Sequence, residues 1–311
     1  MNKQIAIGVD IGGSHVSSAA VDIINRKMLS ESFFDNPVDN HANPDSIIEV
    51  WGRTIRDTIK KAGLINVAGI GLAMPGPFDY WNGISLFNGE TRKYEKTYGM
   101  DVSGALKNYL DLSPDFPVRF INDAASFAIG EAWLGKAADT KRSLSITIGT
   151  GLGSGFINDG LPVFKGKDVP RDGFIWHLPF AGGVADDHFS TRGLVRMYSE
   201  LTGRSVDGAR EIAVAANTDS IARKIFKDFG VQLSRLLMPW LIKFDVEIIV
   251  VGGNISRAFD LFGPAMQQVL LNNGLDTVVE KSDLNFNAQI YGSARLVDDT
   301  YWKRILPALA P

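Results

Sequence analysis

Residues 5–22, IAIGVDIGGSHVSSAAVD, and residues 144–157, LSITIGTGLGSGFI, decide how this chain of 311 residues is read. In the first, the β-runs IAIGVD and HVSSAAVD flank Ile11-Gly12-Gly13-Ser14, which has the glycine content that a hairpin turn at positive φ requires. In the second, an apolar strand enters Gly149-Thr150-Gly151-Leu152-Gly153-Ser154-Gly155 and leaves through Phe156-Ile157. A single glycine-rich hairpin is commonplace. Two of them, both reaching Gly-Ser and spaced by about half the chain, point to duplicated halves.

Working outward, residues 45–63 read as a helix that Asn43-Pro44 starts and Gly63 stops. Residues 67–73 form a buried strand that runs into the breaker Met74-Pro75-Gly76-Pro77. Residues 78–98, rich in Gly, Asn and aromatics, read as a long surface insertion of the kind that carries substrate contacts. A short strand at 118–121 ends at Asn122-Asp123, which opens the helical pattern AASFAIGEAWLG. Later helical patterns cover 190–201, 206–216 and 219–243, and the apolar strand 246–251 meets Gly252-Gly253-Asn254. Strands alternating with helices indicate an α/β architecture, and the length suits two domains of similar size.

Composition removes several classes of function. Hydrophobic residues make up 45% and charged residues 22%, the values of an ordinary soluble protein. The balance of 32 Lys+Arg against 35 Asp+Glu, a formal charge of -3, provides no global field for nucleic acid or an anionic membrane. Cys is absent, which excludes disulfides, a thiolate nucleophile and Cys-ligated zinc or iron–sulfur sites. The N-terminus has neither the basic start nor the long apolar middle of a signal peptide, so the expected setting is cytoplasmic. The longest uncharged stretch, residues 62–78, holds four Gly and two Pro and reads as strand and loop, so no membrane segment is expected.

The turns suggest the chemistry. A turn without side chains lets consecutive backbone N–H groups converge on an anion, and the Ser14 and Thr150 hydroxyls add donors. Three such turns in one chain suit a polyphosphate. Neither G-x-x-x-x-G-K-[ST] nor a helix-opening G-x-G-x-x-G occurs, which sets aside the usual P-loop and weakens a dinucleotide reading. Each turn taken alone is more simply a hairpin. Asp10 closes the first strand, where a carboxylate can hold Mg²⁺ through water or simply cap the turn. Asp123 stands where Asn or Asp caps a helix, and capping explains such a residue more often than catalysis does. With a hydroxyl against Asp123 and a terminal phosphate on the turns, the carboxylate would take the proton during phosphoryl transfer.

Taken together, DIGGSH (10–15), MPGPFD (74–79), INDAASFAIGEAWLG (121–135), ITIGTGLGSGF (146–156), VVGGNIS (250–256) and the late Gly292-Ser293-Ala294 resemble the ROK family of bacterial sugar kinases and related repressors, in family order across nearly the whole chain. The resemblance implies a duplicated ribonuclease-H-like fold of the actin, hexokinase and Hsp70 group, with ATP·Mg²⁺ held between two lobes. It implies lobes of residues 1–122 and 123–311, with a last helix at about 291–305 returning to the first lobe. It assigns Asp10, Gly12, Gly13 and Ser14 to the first phosphate turn, with Asp10 toward Mg²⁺, and Gly149, Thr150 and Gly151 to the second. Gly252, Gly253 and Asn254 fall on the adenosine side. Asp123 becomes the base for the sugar hydroxyl, and Gly76, Asn88, Asn122 and His177 join it around the sugar, with Glu90 near Asn88.

Two departures from the family pattern bear on specificity. Family kinases carry Glu-x-Gly-His and then a Cys-rich zinc loop, where this chain reads Phe174-Ile175-Trp176-His177 and has no Cys. No zinc is therefore expected, and a site that has lost a polar acceptor discriminates differently among sugars. The aromatics Trp81, Phe87, Tyr94, Phe174 and Trp176 either form an apolar platform for a sugar or pack in the core, the latter being the better expectation for each. The leading expectation is an ATP-dependent, glucokinase-like kinase acting on a hexose or modified hexose at its 6-hydroxyl. The alternatives are a sugar-responsive regulator and a degenerate sugar-binding protein. Only nine residues precede Asp10, so direct nucleic-acid binding is not expected. By family analogy the chain forms a homodimer or homotetramer.

Overall fold

Alternation places Ile5, Ile7, Val9 and Ile11 on one face of the first strand and Ala6 on the other, and both faces are buried. Such a strand belongs at the centre of a sheet. The computed structural model, which describes residues 4–63, 66–88 and 93–310, puts it there. The chain divides into two units, residues Met1–Leu134 with Asn287–Pro311 and residues Gly135–Phe286.

In the first unit, β1 (Ile5–Ile11), β2 (His15–Asp22) and β3 (Lys27–Met28) form an antiparallel meander, and β4 (Phe34–Pro37) pairs with the outer edge of β2. Helix α1 (Pro44–Lys61) begins at Asn43, whose side chain accepts from Ser46 N–H, and buries Trp51 completely. It carries the chain across to β5 (Gly69–Met74), parallel to β1. The hairpin β6 (Phe78–Asp79) and β7 (Ile84–Ser85) and helix α2 (Val102–Leu110) follow, then β8 (Val118–Asn122), parallel to β5, and α3 (Asp123–Leu134). Among the described residues of 78–98, Trp81, Leu86, Asn88 and Tyr98 are exposed, while part of the segment turns inward. Phe78, Phe87 and Tyr94 are buried and stack in series, with ring centroids 6.4 and 5.5 Å apart, within the unit's core.

In the second unit, β9 (Arg142–Ile148), β10 (Leu152–Asn158) and β11 (Leu161–Val163) form the same antiparallel meander. The small hairpin β12 (Pro179–Phe180) and β13 (Gly183–Val184) leads to helices α4 (Ala185–His188), α5 (Thr191–Thr202), α6 (Ala209–Ala215) and α7 (Ser220–Phe244), the last capped by Asp219. Strand β14 (Ile248–Gly252) is parallel to β9, and α8 (Phe259–Asn272) connects it to β15 (Val278–Lys281), parallel to β14. The sheet orders are β3-β2-β1-β5-β8 and β11-β10-β9-β14-β15. Three antiparallel strands followed by two parallel ones, in the same order in each unit, is the duplication that the two glycine-rich turns announce.

The chain then returns to the first unit as α9 (Asn287–Arg295) and α10 (Asp299–Leu309). A single helix at about 291–305 was the expectation; the Asp298 side chain instead accepts from Thr300 and Tyr301 N–H and starts a new helix. The backbone of α9 lies directly on the sheet. A Cβ at Gly71 would stand 1.8 Å from the Ser293 carbonyl oxygen, and one at Gly292 1.8 Å from that of Ser126. Ser293 Oγ also accepts from Val9 N–H at 3.1 Å. Because α3 packs on α9, with Ser126 Oγ donating to Gln289 O at 2.8 Å, the boundary expected after Asn122 falls after Leu134. Among the described residues, no helix is long and apolar enough to cross a membrane.

Candidate active site

The first glycine turn joins β1 to β2. Gly12 N–H donates to His15 O at 2.9 Å, which closes the turn. Contrary to expectation, neither Gly12 nor Gly13 has positive φ. A Cβ on Gly12 would meet the His15 ring at 2.6 Å, and one on Gly13 the Lys93 side chain at 3.0 Å. Among the described residues, the N–H groups of Gly13 and Ser14 engage no hydrogen bond. Ser14 is exposed, so these donors face a site that an anion can enter.

Asp10, one residue before the turn, is 8% exposed and sits opposite Ser17 on β2. Burial, with the charges of Asp123 and Asp35, pushes its carboxyl up to about 8. Among the described residues, the charges that act on it are carboxylates only. That fits a Mg²⁺ site, since this ion takes one or two carboxylates and completes its shell with phosphate and water.

Asp123 is the first residue of α3, and it is not the cap. Asn122 Oδ1 accepts from Ala124 and Ala125 N–H at 3.0 and 3.1 Å, so Asn122 satisfies the helix start. The alternative raised for Asp123 therefore belongs to its neighbour. Burial lifts the Asp123 carboxyl above the ordinary range, opposed by the Ala124 N–H and by the positive charge of Lys93. Asn122 Nδ2 donates to Tyr80 Oη at 3.3 Å, and Tyr80 Oη donates to Met74 O at 3.2 Å. Burial and the Asp123 charge push the Tyr80 hydroxyl well above its usual range, so it stays a donor. Gly76 lies against the same hydroxyl, at 3.5 Å from its Cβ position. The first unit thus gathers Asp10, the Gly12–Ser14 turn, Asp123, Asn122, Tyr80 and Gly76. Asn88 is exposed, next to the buried Phe87, and Glu90 lies outside the described residues.

In the second unit, Gly149 N–H donates to Gly151 O at 3.0 Å, and among the described residues the N–H groups of Thr150 and Gly151 engage no hydrogen bond, as in the first turn. Thr191, at the start of α5, holds the Gly149 carbonyl twice, from its N–H at 2.8 Å and its hydroxyl at 2.9 Å. The third turn stands beside the second. Gly253 has φ 81°, and a Cβ there would press on the Ile148 carbonyl at 2.5 Å. Next to Asn254 a cavity of about 600 Å³ opens, lined by Thr191, Ala209, Ala213, Phe226 and Arg257 among others. That volume accommodates a nucleoside.

Asp186, which the sequence reading passed over, binds this region together. Its Oδ1 accepts from Leu152 N–H at 2.6 Å, its Oδ2 from Arg192 at 2.6 Å, and its own N–H donates to Trp176 O at 3.0 Å. One residue thus ties the second turn, the segment carrying His177 and helix α5. His177 is half-buried, with Nε2 at 3.3 Å from the Arg171 carbonyl and its ring edge-on to Trp176. Of the five aromatics, Phe87 and Tyr94 are core, Phe174 is half-buried, and Trp81 and Trp176 are 42% and 44% exposed. Trp81 and Trp176 are the most exposed of the five.

Two units of matched topology, each with three antiparallel strands followed by two parallel ones, define the duplicated ribonuclease-H-like fold. Within it, the family model for the ROK family matches residues 6–300, and the chain belongs to that family. Among curated proteins it is 28% identical over 238 residues to the β-glucoside kinase of Listeria monocytogenes, spanning 73% of this chain and 78% of that one. It is 27% identical over 329 aligned positions to the glucokinase of Thermotoga maritima, spanning 96% and 99%. Among solved structures, the ROK hexokinase of Thermus thermophilus superposes with a TM-score of 0.77 at 22% identity, covering 97% of this chain and all of that one.

Proposed function

We propose that the protein is an ATP-dependent kinase that phosphorylates the 6-hydroxyl of a hexose or modified hexose. The observation that carries the reading is Asp123. Its helix is capped by Asn122, and one residue later the Asp123 carboxyl is held partly buried, with Oδ1 accepting from Ala124 N–H at 2.8 Å. A raised carboxyl is a better proton acceptor than an ordinary one. Asp123 would take the proton as the sugar oxygen bonds to the γ-phosphorus and the bond from that phosphorus to the bridging oxygen of ADP breaks. The N–H groups of Gly13 and Ser14, and those of Thr150 and Gly151, would bind phosphoryl oxygens. Asp10 would hold Mg²⁺, which when bound offsets phosphate charge. The cavity beside Asn254 would take the adenosine.

Phe174 and Trp176, in place of the family's Glu and Gly, favour an acceptor that presents an apolar group near His177, such as an aglycone or an acetyl methyl. The reading carries with it a cytoplasmic setting and a homodimer or homotetramer, which light scattering would measure. The test is coupled ADP release from ATP·Mg²⁺ across hexoses, N-acetylhexosamines, ketoses and β-glucosides. We expect turnover on at least one, reduced about a thousandfold in Asp123→Asn. A folded, ATP-binding chain that turns over none of them would refute the reading.

A further inference from the structure

The catalytic groups named so far are backbone N–H donors, a base and a site for a metal; none is a side-chain cation. The segment 78–98 supplies one at Lys93. Its position is set by the next residue. Tyr94 is fully buried against Trp51 and Phe87, with ring centroids 5.2 and 5.5 Å away. From there its hydroxyl donates to Gly12 O at 2.6 Å, and its N–H donates to Asn40 O at 3.0 Å. The Asn40 amide in turn donates to Gly13 O. Residue 94 is therefore latched to both glycine carbonyls of the first turn, directly and through Asn40.

Lys93 is carried on that latch. Its Cε and Nζ lie 3.0 and 3.1 Å from where a Gly13 Cβ would be, and its charge acts on the Asp123 carboxyl. The ammonium group thus stands over the turn whose N–H groups await an anion, on the side where the proposed base lies. We propose that Lys93 is a catalytic residue, its ammonium contacting the phosphoryl group during transfer. The proposal rests on the kinase reading above. A cation fixed where charge redistributes in the transition state stabilises it at no cost in reorganisation. A side chain at Gly13 would crowd the lysine, which would have to give by a few tenths of an ångström.

A lysine that only balanced the Asp123 carboxylate would act differently. Its loss would shift the acid limb of the pH–rate profile and leave the plateau in place. The experiment compares wild type, Lys93→Met, Lys93→Arg and Lys93→Ala, each checked for an unchanged melting temperature, on a sugar that the wild type phosphorylates. We expect plateau kcat to fall about a hundredfold or more in Lys93→Met with sugar KM within about threefold, partial recovery in Lys93→Arg, and rescue of Lys93→Ala by added methylamine. A plateau kcat within about threefold of wild type in Lys93→Met, or a loss confined to the acid limb, would overturn the proposal and leave the kinase reading standing. A wild type silent on every sugar, folded and with ATP bound, would overturn both.

Discussion

Asp10→Asn should stabilise the metal-free protein, and increasingly so as pH rises. The unfolded chain releases the Asp10 proton near the ordinary value of 3.8, whereas the folded chain holds it to about 8, chiefly through burial. Below about pH 4 both states carry the proton and pH has no effect through this group. Between about 4 and about 8 only the unfolded state is ionised, so stability falls as pH rises; above about 8 the loss is complete. Each unit of pH in that window is worth about 1.4 kcal/mol, so from pH 5 to pH 8 the ceiling is about 4 kcal/mol. Water reaching the carboxyl would lower this. Asparagine fills the same volume without the charge. The assay is urea unfolding of both proteins in a chelator, at pH 5, 6.5 and 8. The gain from Asp10→Asn should widen steadily across the three. Adding Mg²⁺ with ADP should reverse the trend in wild type alone, since a cation supplies a countercharge. A gap independent of pH would refute the reasoning, because steric or hydrogen-bond effects of the substitution do not titrate.

Other outcomes follow from the same structure. Because burial raises the Asp123 carboxyl, kcat/KM should climb with pH through an apparent value above the ordinary carboxylate range, as a pH–rate profile with the best sugar would show. Gly71→Ala, which brings a Cβ to 1.8 Å from the Ser293 carbonyl, should cost about 3 kcal/mol or more in urea unfolding or prevent soluble expression. Asp186→Ala should loosen the second turn, weakening ATP binding about tenfold by calorimetry, while unfolding stability drops by only about 1–3 kcal/mol.

The duplicated plan was legible because it is written locally, in alternating apolar residues and glycine turns that each half repeats. What local signals could not convey was allegiance. Nothing in AASFAIGEAWLG says that α3 belongs with residues 287–295, since that depends on carbonyls of α9 meeting Gly130 and on Ser126 reaching Gln289. The 78–98 segment was legible only in part: its glycines and asparagines read as surface, while three of its aromatics lie in the core. The turns were found by their glycines, although the assumed cause, positive φ, holds only at Gly253 among the residues assigned to the three turns. Lys93 and Asp186 carry no motif at all. Each matters through a partner far away in sequence, the first turn for one and Leu152 and Trp176 for the other.

The return of the chain to its first unit has a consequence for how the protein is made. Residues 135–286 leave the ribosome as a continuous stretch that holds every strand of its own sheet, so that unit can fold while synthesis proceeds. The first unit, although translated earlier, must wait. Gly71 meets α9 only after about 220 further residues have been added, and Gly8 and Val9 only after about 280; until then the second face of the nascent sheet, with Ala6, Ala19 and Val21, lacks its cover from α9. The half of the protein that is born first is the half completed last.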